Sequence, residues 1–213
     1  MLPNFIDKKE IKIGKHYISQ YKNLEVVSLI TGVGMLSTAY IMSKILTNQK
    51  FDIALNIGIA GLFSGSATIG DVFFIKKDFF PELGCGNDEL FSSAFNKNLI
   101  NADEKPYSKG FLNSNFDFSK LCNNYKFANG ITVNRTQMFN QNILPESLFD
   151  LPVLETMENA AFFYSCILDD LPCVGLRAVS NFTVDIDKNK WNIVLALNNL
   201  HKNTLSLLNE FSK

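Results

Sequence analysis

Residues 154–200 read LETMENAAFFYSCILDDLPCVGLRAVSNFTVDIDKNKWNIVLALNNL, and this segment is the most informative part of the chain. The apolar run at 157–168 predicts a helix, and the apolar run CVGLRAV predicts a core strand at 173–180. The amphipathic sequence WNIVLALNNL then predicts a closing helix over about 190–211. A short strand at 153–155 precedes the first of these helices, so the segment alternates strand and helix.

The same alternation runs through the rest of the chain. LEVVSLIT at 24–31 predicts a strand that ends in Gly32-Val33-Gly34, and MLSTAYIMSKIL then predicts a helix. Further strands are predicted at 52–59, from Val72, at 110–112 and at 127–133, whereas 81–105 is rich in turn residues and predicts a surface segment. The continuous apolar strands indicate a sheet covered on both faces, in one α/β domain spanning 1–213.

Composition excludes several function classes. The formal net charge is −1 and no basic block occurs, which argues against nucleic acid as a partner. No apolar run approaches the roughly 20 residues that a transmembrane helix needs, and no signal peptide opens the chain. We therefore expect no membrane partner and a cytoplasmic protein.

The cysteines do not predict a metal or redox site. Cys85, Cys122, Cys166 and Cys173 show no spacing typical of zinc ligands or of a redox dithiol. Cys166 and Cys173 stand in apolar runs, which favours buried side chains. We expect neither a metal nor a cofactor.

Two polar residues of the segment 154–200 are candidates for catalysis. Glu158 stands at a predicted helix N-terminus, where a carboxylate stays ionised and can accept hydrogen bonds from two adjacent sugar hydroxyls. Asn181 follows the last core strand and offers an amide that can donate to and accept from a heterocycle edge. Both are predicted as catalytic residues.

Four motifs occur in an order that resembles one superfamily. LITGVGM at 29–35, NIGIAG at 56–61, Met157-Glu158 and the RAVSN run at 177–181 together resemble the purine nucleoside phosphorylases and nucleosidases. Ser180-Asn181 in place of Ser-Asp, followed by Trp191, is most similar to the futalosine hydrolase family. The resemblance implies a three-layer fold with a central mixed sheet flanked by helices.

The resemblance also implies an activity. It is a nucleosidase that hydrolyses the N-glycosidic bond of futalosine and releases hypoxanthine in menaquinone synthesis, with a homodimer as the expected assembly. An amide at 181 matches a 6-oxopurine, whereas an aspartic acid there suits adenine. The implied substrate-binding residues, beyond the two catalytic ones, are Ala60, Gly61, Val133, Met138, Phe139, Met157, Ser180 and Trp191.

Two features depart from the family pattern. The superfamily begins with an apolar strand ending near a glutamate that activates water, whereas this chain opens with the polar MLPNFIDKKEIKIGK, so we expect that strand to be lacking. Glu10 is the available carboxylate by residue type, although its lysine neighbours indicate a solvated segment. Asn159 stands where a small residue is usual, and its side chain either crowds the pocket floor or bonds its own backbone.

Alternative readings therefore stay open. One is a non-catalytic homologue that keeps the fold and ligand binding, and another is a methylthioadenosine/S-adenosylhomocysteine nucleosidase. A phosphorylase is disfavoured because no arginine-bearing loop lies near Gly32. Arg177 is interpreted as a structural partner of a carboxylate such as Glu155, and His16 and His201 as surface residues.

Overall fold

The computed structural model describes residues 15–87, 90–122, 125–136, 143–185 and 187–213. A mixed sheet forms its centre, and its strands are β3 (Ala54–Ser64), β4 (Val72–Phe79), β7 (Leu112–Asn113), β8 (Lys126–Thr132), β9 (Val153–Thr156) and β10 (Cys173–Phe182). Their order across the sheet is β10-β3-β9-β8-β4-β7. β10 also pairs with β4, so the sheet curls and its long strands close on each other.

Helices cover both faces of the sheet. The helices α1 (Met35–Asn48) and α2 (Asn159–Leu168) pack on one face, where Met42, Phe163 and Cys166 belong to a common core cluster. On the other face lies α3 (Ile193–Phe211), whose Leu200 and Leu207 pack with Phe74. This confirms the predicted α/β fold with a central mixed sheet flanked by helices.

The N-terminal part of the described chain forms a hairpin. β1 (Lys15–Tyr21) and β2 (Leu24–Ile30) pair antiparallel in a sheet of their own. The sequence predicted β2 but not β1, because KHYISQY is largely polar and lacks the two-residue alternation typical of a strand. The prediction for His16 was also wrong, since this residue is 2% exposed and therefore lies in the interior rather than on the surface.

Several boundaries differ from the predicted ones. α2 begins at Asn159 and α3 at Ile193, a little later than expected, because Glu158 and Asn192 occupy the N-cap positions. The surface segment 81–105 contains a minor hairpin of β5 (Gly84–Cys85) and β6 (Ser92–Ser93). All four cysteines are free, and Cys166 and Cys173 are buried as predicted. Within the described ranges, no helix is long and apolar enough to cross a membrane.

Candidate active site

Glu158 lies where two helices begin. It is the N-cap residue of α2, yet its side chain does not cap that helix. Its Oε1 instead accepts a hydrogen bond of 3.0 Å from the backbone N–H of Gly34, the N-cap residue of α1. Gly34 has a φ of 90°, a conformation that favours glycine. The carboxylate thus occupies the positive end of α1 while remaining half-exposed.

A buried arginine shares the electrostatics of this site. Arg177 is 2% exposed and extends from β10 across Gly58 of β3, its paired residue; a Cβ at Gly58 would overlap Nη1. Burial lowers the pKa of Arg177 to about 10, and the charges of Glu158 and Asp78 oppose that shift. The guanidinium is therefore cationic at neutral pH. Both carboxylates support its charge; the sequence led us to expect a carboxylate partner such as Glu155.

Arg177 has hydrogen-bonding capacity left over. Among the residues that the structure describes, no acceptor lies within hydrogen-bonding distance of its Nε or Nη2. A buried charged donor without an acceptor is costly. The half-exposed Glu158 carboxylate is the group of this site that suits a ligand with hydroxyl groups.

Asn181 and Gly61 form a second part of the site. The two residues are paired across β10 and β3, at a register shift of the strand pair, and Gly61 is also paired with Glu155 of β9. A Cβ at Gly61 would lie 2.9 Å from Thr183 Cγ2 and 3.3 Å from Asn181 Nδ2. The absence of a side chain at Gly61 therefore keeps space in front of the Asn181 amide.

The Asn181 amide is oriented by its neighbours. Its Oδ1 accepts from Ser180 Oγ at 2.8 Å, and its Nδ2 donates to the Phe182 carbonyl at 3.1 Å. Ser180 Oγ also lies 3.2 Å from the carbonyl oxygen of Ala60. Because Nδ2 carries two hydrogens, one N–H is left to donate to a ligand. Ser180 and Ala60 thus hold the amide from behind.

The remaining predicted residues lie at different depths. Met157 is half-buried between β9 and α2, and Val133 is fully buried at the end of β8, where its N–H donates to the Thr156 carbonyl. Trp191 is half-buried before α3, and its Nε1–H donates to the Asp185 carbonyl. Met138, Phe139 and Glu10 lie outside the described residues.

Asn159 departs from both expectations. Its side chain is fully buried and points into the core, where Nδ2 donates to Asp78 and Oδ1 accepts from Asn56. Both polar atoms of this side chain are therefore used inside the core. Sequence reasoning missed Asp78, because a lone aspartate after two lysines in IKKDFF is typical of an exposed strand end.

Known proteins resemble this chain over most of its length. The chain is 23% identical over 197 residues to 5'-methylthioadenosine/S-adenosylhomocysteine nucleosidase of Buchnera aphidicola subsp. Acyrthosiphon pisum (strain Tuc7), covering 87% of this chain and 82% of the relative. It is 27% identical over 222 residues to the protein of the same name in subsp. Baizongia pistaciae (strain Bp), with 96% and 84% covered.

Solved structures give the same result for the fold. Futalosine hydrolase of Helicobacter pylori strain 26695 superimposes with a TM-score of 0.75 at 13% identity, covering 96% of this chain and 88% of that one. The 5'-methylthioadenosine/S-adenosylhomocysteine nucleosidase of S. pneumoniae gives 0.74 at 17% identity, with 97% and 89% covered. The Phosphorylase superfamily pattern matches residues 3–212. This chain belongs to the Phosphorylase superfamily.

Proposed function

We propose that the protein is a nucleosidase that hydrolyses the N-glycosidic bond of a purine nucleoside. The observation that carries this proposal is the half-exposed Glu158 carboxylate, which accepts from Gly34 N at the start of α1 and whose charge acts on the buried Arg177 guanidinium. The named relatives, which are nucleosidases, support the same reaction class.

The chemistry requires a negative charge beside the sugar. Water forms a bond from its oxygen to C1′ and gives up one proton. The C1′–N9 bond breaks, and its electron pair passes into the purine, which takes up one proton in balance. The transition state resembles an oxocarbenium ion. Glu158 can accept hydrogen bonds from two ribose hydroxyls and place its charge near the developing cation.

The hydrogen bond to Gly34 favours hydrolysis over phosphorolysis. A helix N-terminus with exposed N–H groups attracts phosphate, and the Gly32-Val33-Gly34 turn before α1 is such a place. Here the Gly34 N–H already donates to the Glu158 carboxylate. A phosphate at this position would face that negative charge, so we propose water as the nucleophile that attacks C1′.

Futalosine is the substrate that we propose first. The Ser180 hydroxyl and the Phe182 carbonyl hold the Asn181 amide so that an N–H remains available. This donor matches N7 or O6 of hypoxanthine, the base that futalosine would release. A buried carboxylic acid would be needed at this position to deliver a proton to adenine N7.

Methylthioadenosine or S-adenosylhomocysteine is the second candidate. The observation in its favour is that the curated relatives with 23% and 27% identity are nucleosidases for these two compounds. The two candidates differ in the purine 6-substituent and in the group at the 5′ carbon of the ribose.

A substrate panel tests the proposal. Purified protein is incubated with futalosine, inosine, methylthioadenosine and S-adenosylhomocysteine, and the free base is quantified by liquid chromatography. We expect release of hypoxanthine from futalosine with the highest kcat/KM. Preferential release of adenine would favour the second candidate, and no release from any substrate, despite nucleoside binding by calorimetry, would support a non-catalytic homologue.

A further inference from the structure

Asp78 is a fully buried carboxylate beneath the start of α2, and the nucleosidase chemistry described above does not use it. Both of its oxygens accept hydrogen bonds. Oδ1 accepts from Thr132 Oγ1 on β8, and Oδ2 accepts from Asn159 Nδ2 on α2, each at 2.8 Å. With Asp78 ionised, both donors are satisfied and a negative charge lies inside the protein.

Two glycines make room for this arrangement. Gly130 of β8 is paired with Asp78, and a Cβ there would overlap the Asp78 carboxylate. A Cβ at Gly175 of β10 would lie 2.6 Å from Asn159 Oδ1. The glycines in the neighbouring strands thus leave the space that the side chains of Asp78 and Asn159 occupy, and the close packing fixes the two side chains against each other.

The first N–H groups of α2 are satisfied by threonines that lead back to Asp78. Ala160 N donates to Thr132 Oγ1 at 2.8 Å, and Asn159 N lies 3.4 Å from Thr156 Oγ1. The two hydroxyls are 3.2 Å apart. Since the single hydrogen of Thr132 goes to Asp78, the hydroxyl of Thr156 donates to Thr132. The hydrogen-bond chain therefore ends on the Asp78 carboxylate.

We propose that Asp78 is a positioning residue that caps α2 from below in place of Glu158 and so leaves the Glu158 carboxylate free for Gly34 and the ribose. An N-cap residue ordinarily turns its side chain back onto its own helix. Glu158 does not, because Thr132 and Thr156 already satisfy the first N–H groups and Asp78 supplies the negative charge that a helix N-terminus favours.

The same charge balances Arg177. The electrostatic attraction of Asp78 and Glu158 supports the buried guanidinium. If Asp78 becomes neutral, Arg177 and the positive end of α2 attract Glu158 alone. Glu158 is then drawn inward and away from Gly34, which misplaces the ribose contact.

The negative charge of Asp78 lowers the stability of the folded protein. A residue kept only for stability would not carry this charge, so the effect distinguishes a positioning role from a structural one. Burial raises the pKa of Asp78 to about 6, and the hydrogen bonds from Asn159 and Thr132 and the charge of Arg177 only partly oppose that shift. Ionising Asp78 is therefore less favourable in the folded protein than in the unfolded chain. Losing the charge is expected to preserve stability while it impairs the site.

Asp78→Asn removes the charge and keeps the shape. The new Oδ1 can accept from Asn159, and the new Nδ2 can donate to Thr132, whose hydrogen turns to Thr156. We expect kcat for purine release to fall at least 10-fold with a smaller change in KM, while the thermal midpoint stays equal or rises. Asp71→Asn is the matched control: it changes an aspartate beside the same strand that pairs with Lys126 at the surface, and kcat should not change.

The catalytic consequence rests on the proposed function, so a second readout is independent of activity. The amide resonance of Gly34 in a ¹H–¹⁵N spectrum reports its hydrogen bond to Glu158. We expect this resonance to move in Asp78→Asn and to stay in place in Asp71→Asn. If the wild-type chain releases no purine, the proposed function fails while the Gly34 resonance still decides the positioning role. An unmoved resonance, or a kcat loss accompanied by a lower thermal midpoint, would overturn the proposal.

Discussion

Replacing Glu158 by glutamine removes one charge from the site and little else. The amide oxygen of the new side chain can still accept from Gly34 N at the distance of 3.0 Å, but the negative charge beside Arg177 and the ribose is lost. Loss of one preorganised electrostatic contact costs on the order of 100-fold in kcat, equivalent to about 2.7 kcal/mol of transition-state stabilisation. Because one neutral acceptor replaces a charged one, we expect the free energy of unfolding to change by only about 1 kcal/mol.

The assay is release of free purine under kcat conditions, with the thermal midpoint measured on the same samples. Glu210→Gln is a suitable control, since its carboxylate also accepts a backbone N–H, that of Cys122 at 2.7 Å, but lies near the end of α3. It should retain wild-type kcat. If Glu158→Gln turned over substrate at the wild-type rate with an unchanged midpoint, the assignment of Glu158 would be refuted.

Three further predictions address the base, the arginine and pH. Asn181→Asp should shift the ratio of kcat/KM from 6-oxopurine toward 6-aminopurine nucleosides, and an unchanged ratio in a competition assay would mean that Asn181 does not contact the base. Gly58→Ala should displace Arg177, because the new methyl group overlaps Nη1. We expect the free energy of unfolding to fall by about 1–3 kcal/mol, measured by chemical denaturation. We also expect kcat to fall, measured by purine release. Burial raises the pKa of Asp78 to about 6, so folding favours its protonated form. The resulting stabilisation is complete below the ordinary pKa of 3.8 and is lost as the pH rises through the folded-state pKa. The unfolding free energy of wild type relative to Asp78→Asn should therefore fall by about 3 kcal/mol between about pH 4 and pH 7, and a flat or rising difference would contradict a raised pKa.

The C-terminal half of the fold could be predicted because its signals are local. The apolar run before Asn181 and the amphipathic run after Trp191 each carry a single periodicity, and the structure places β10 and α3 there. The β1 strand could not be predicted in the same way. Among the described residues it pairs with β2, and its sequence KHYISQY is largely polar, with Tyr17, Ile18 and Tyr21 out of the two-residue period of a strand.

The site divides along the same line. Glu158 follows from its position at a helix start, and Asn181 from its position at a strand end, both of which are sequence-local. The surroundings of Asp78 depend on Thr132 and Asn159, which are 54 and 81 residues away along the chain. Only the assembled sheet brings these partners together, so the residues next to Asp78 in the sequence give no signal that this carboxylate is buried.

Oxygen incorporation from labelled water distinguishes hydrolysis by this protein from phosphorolysis. Turnover of a purine nucleoside in H₂¹⁸O with phosphate present should place one ¹⁸O atom on C1 of the released sugar, as mass spectrometry would detect, at a rate that phosphate does not change. Hydrolysis predicts this result, since the water oxygen bonds to C1′ as the C1′–N9 bond breaks. The Glu158 carboxylate at Gly34 N would repel phosphate. A sugar phosphate without label, formed at a rate that rises with phosphate concentration, would contradict the account.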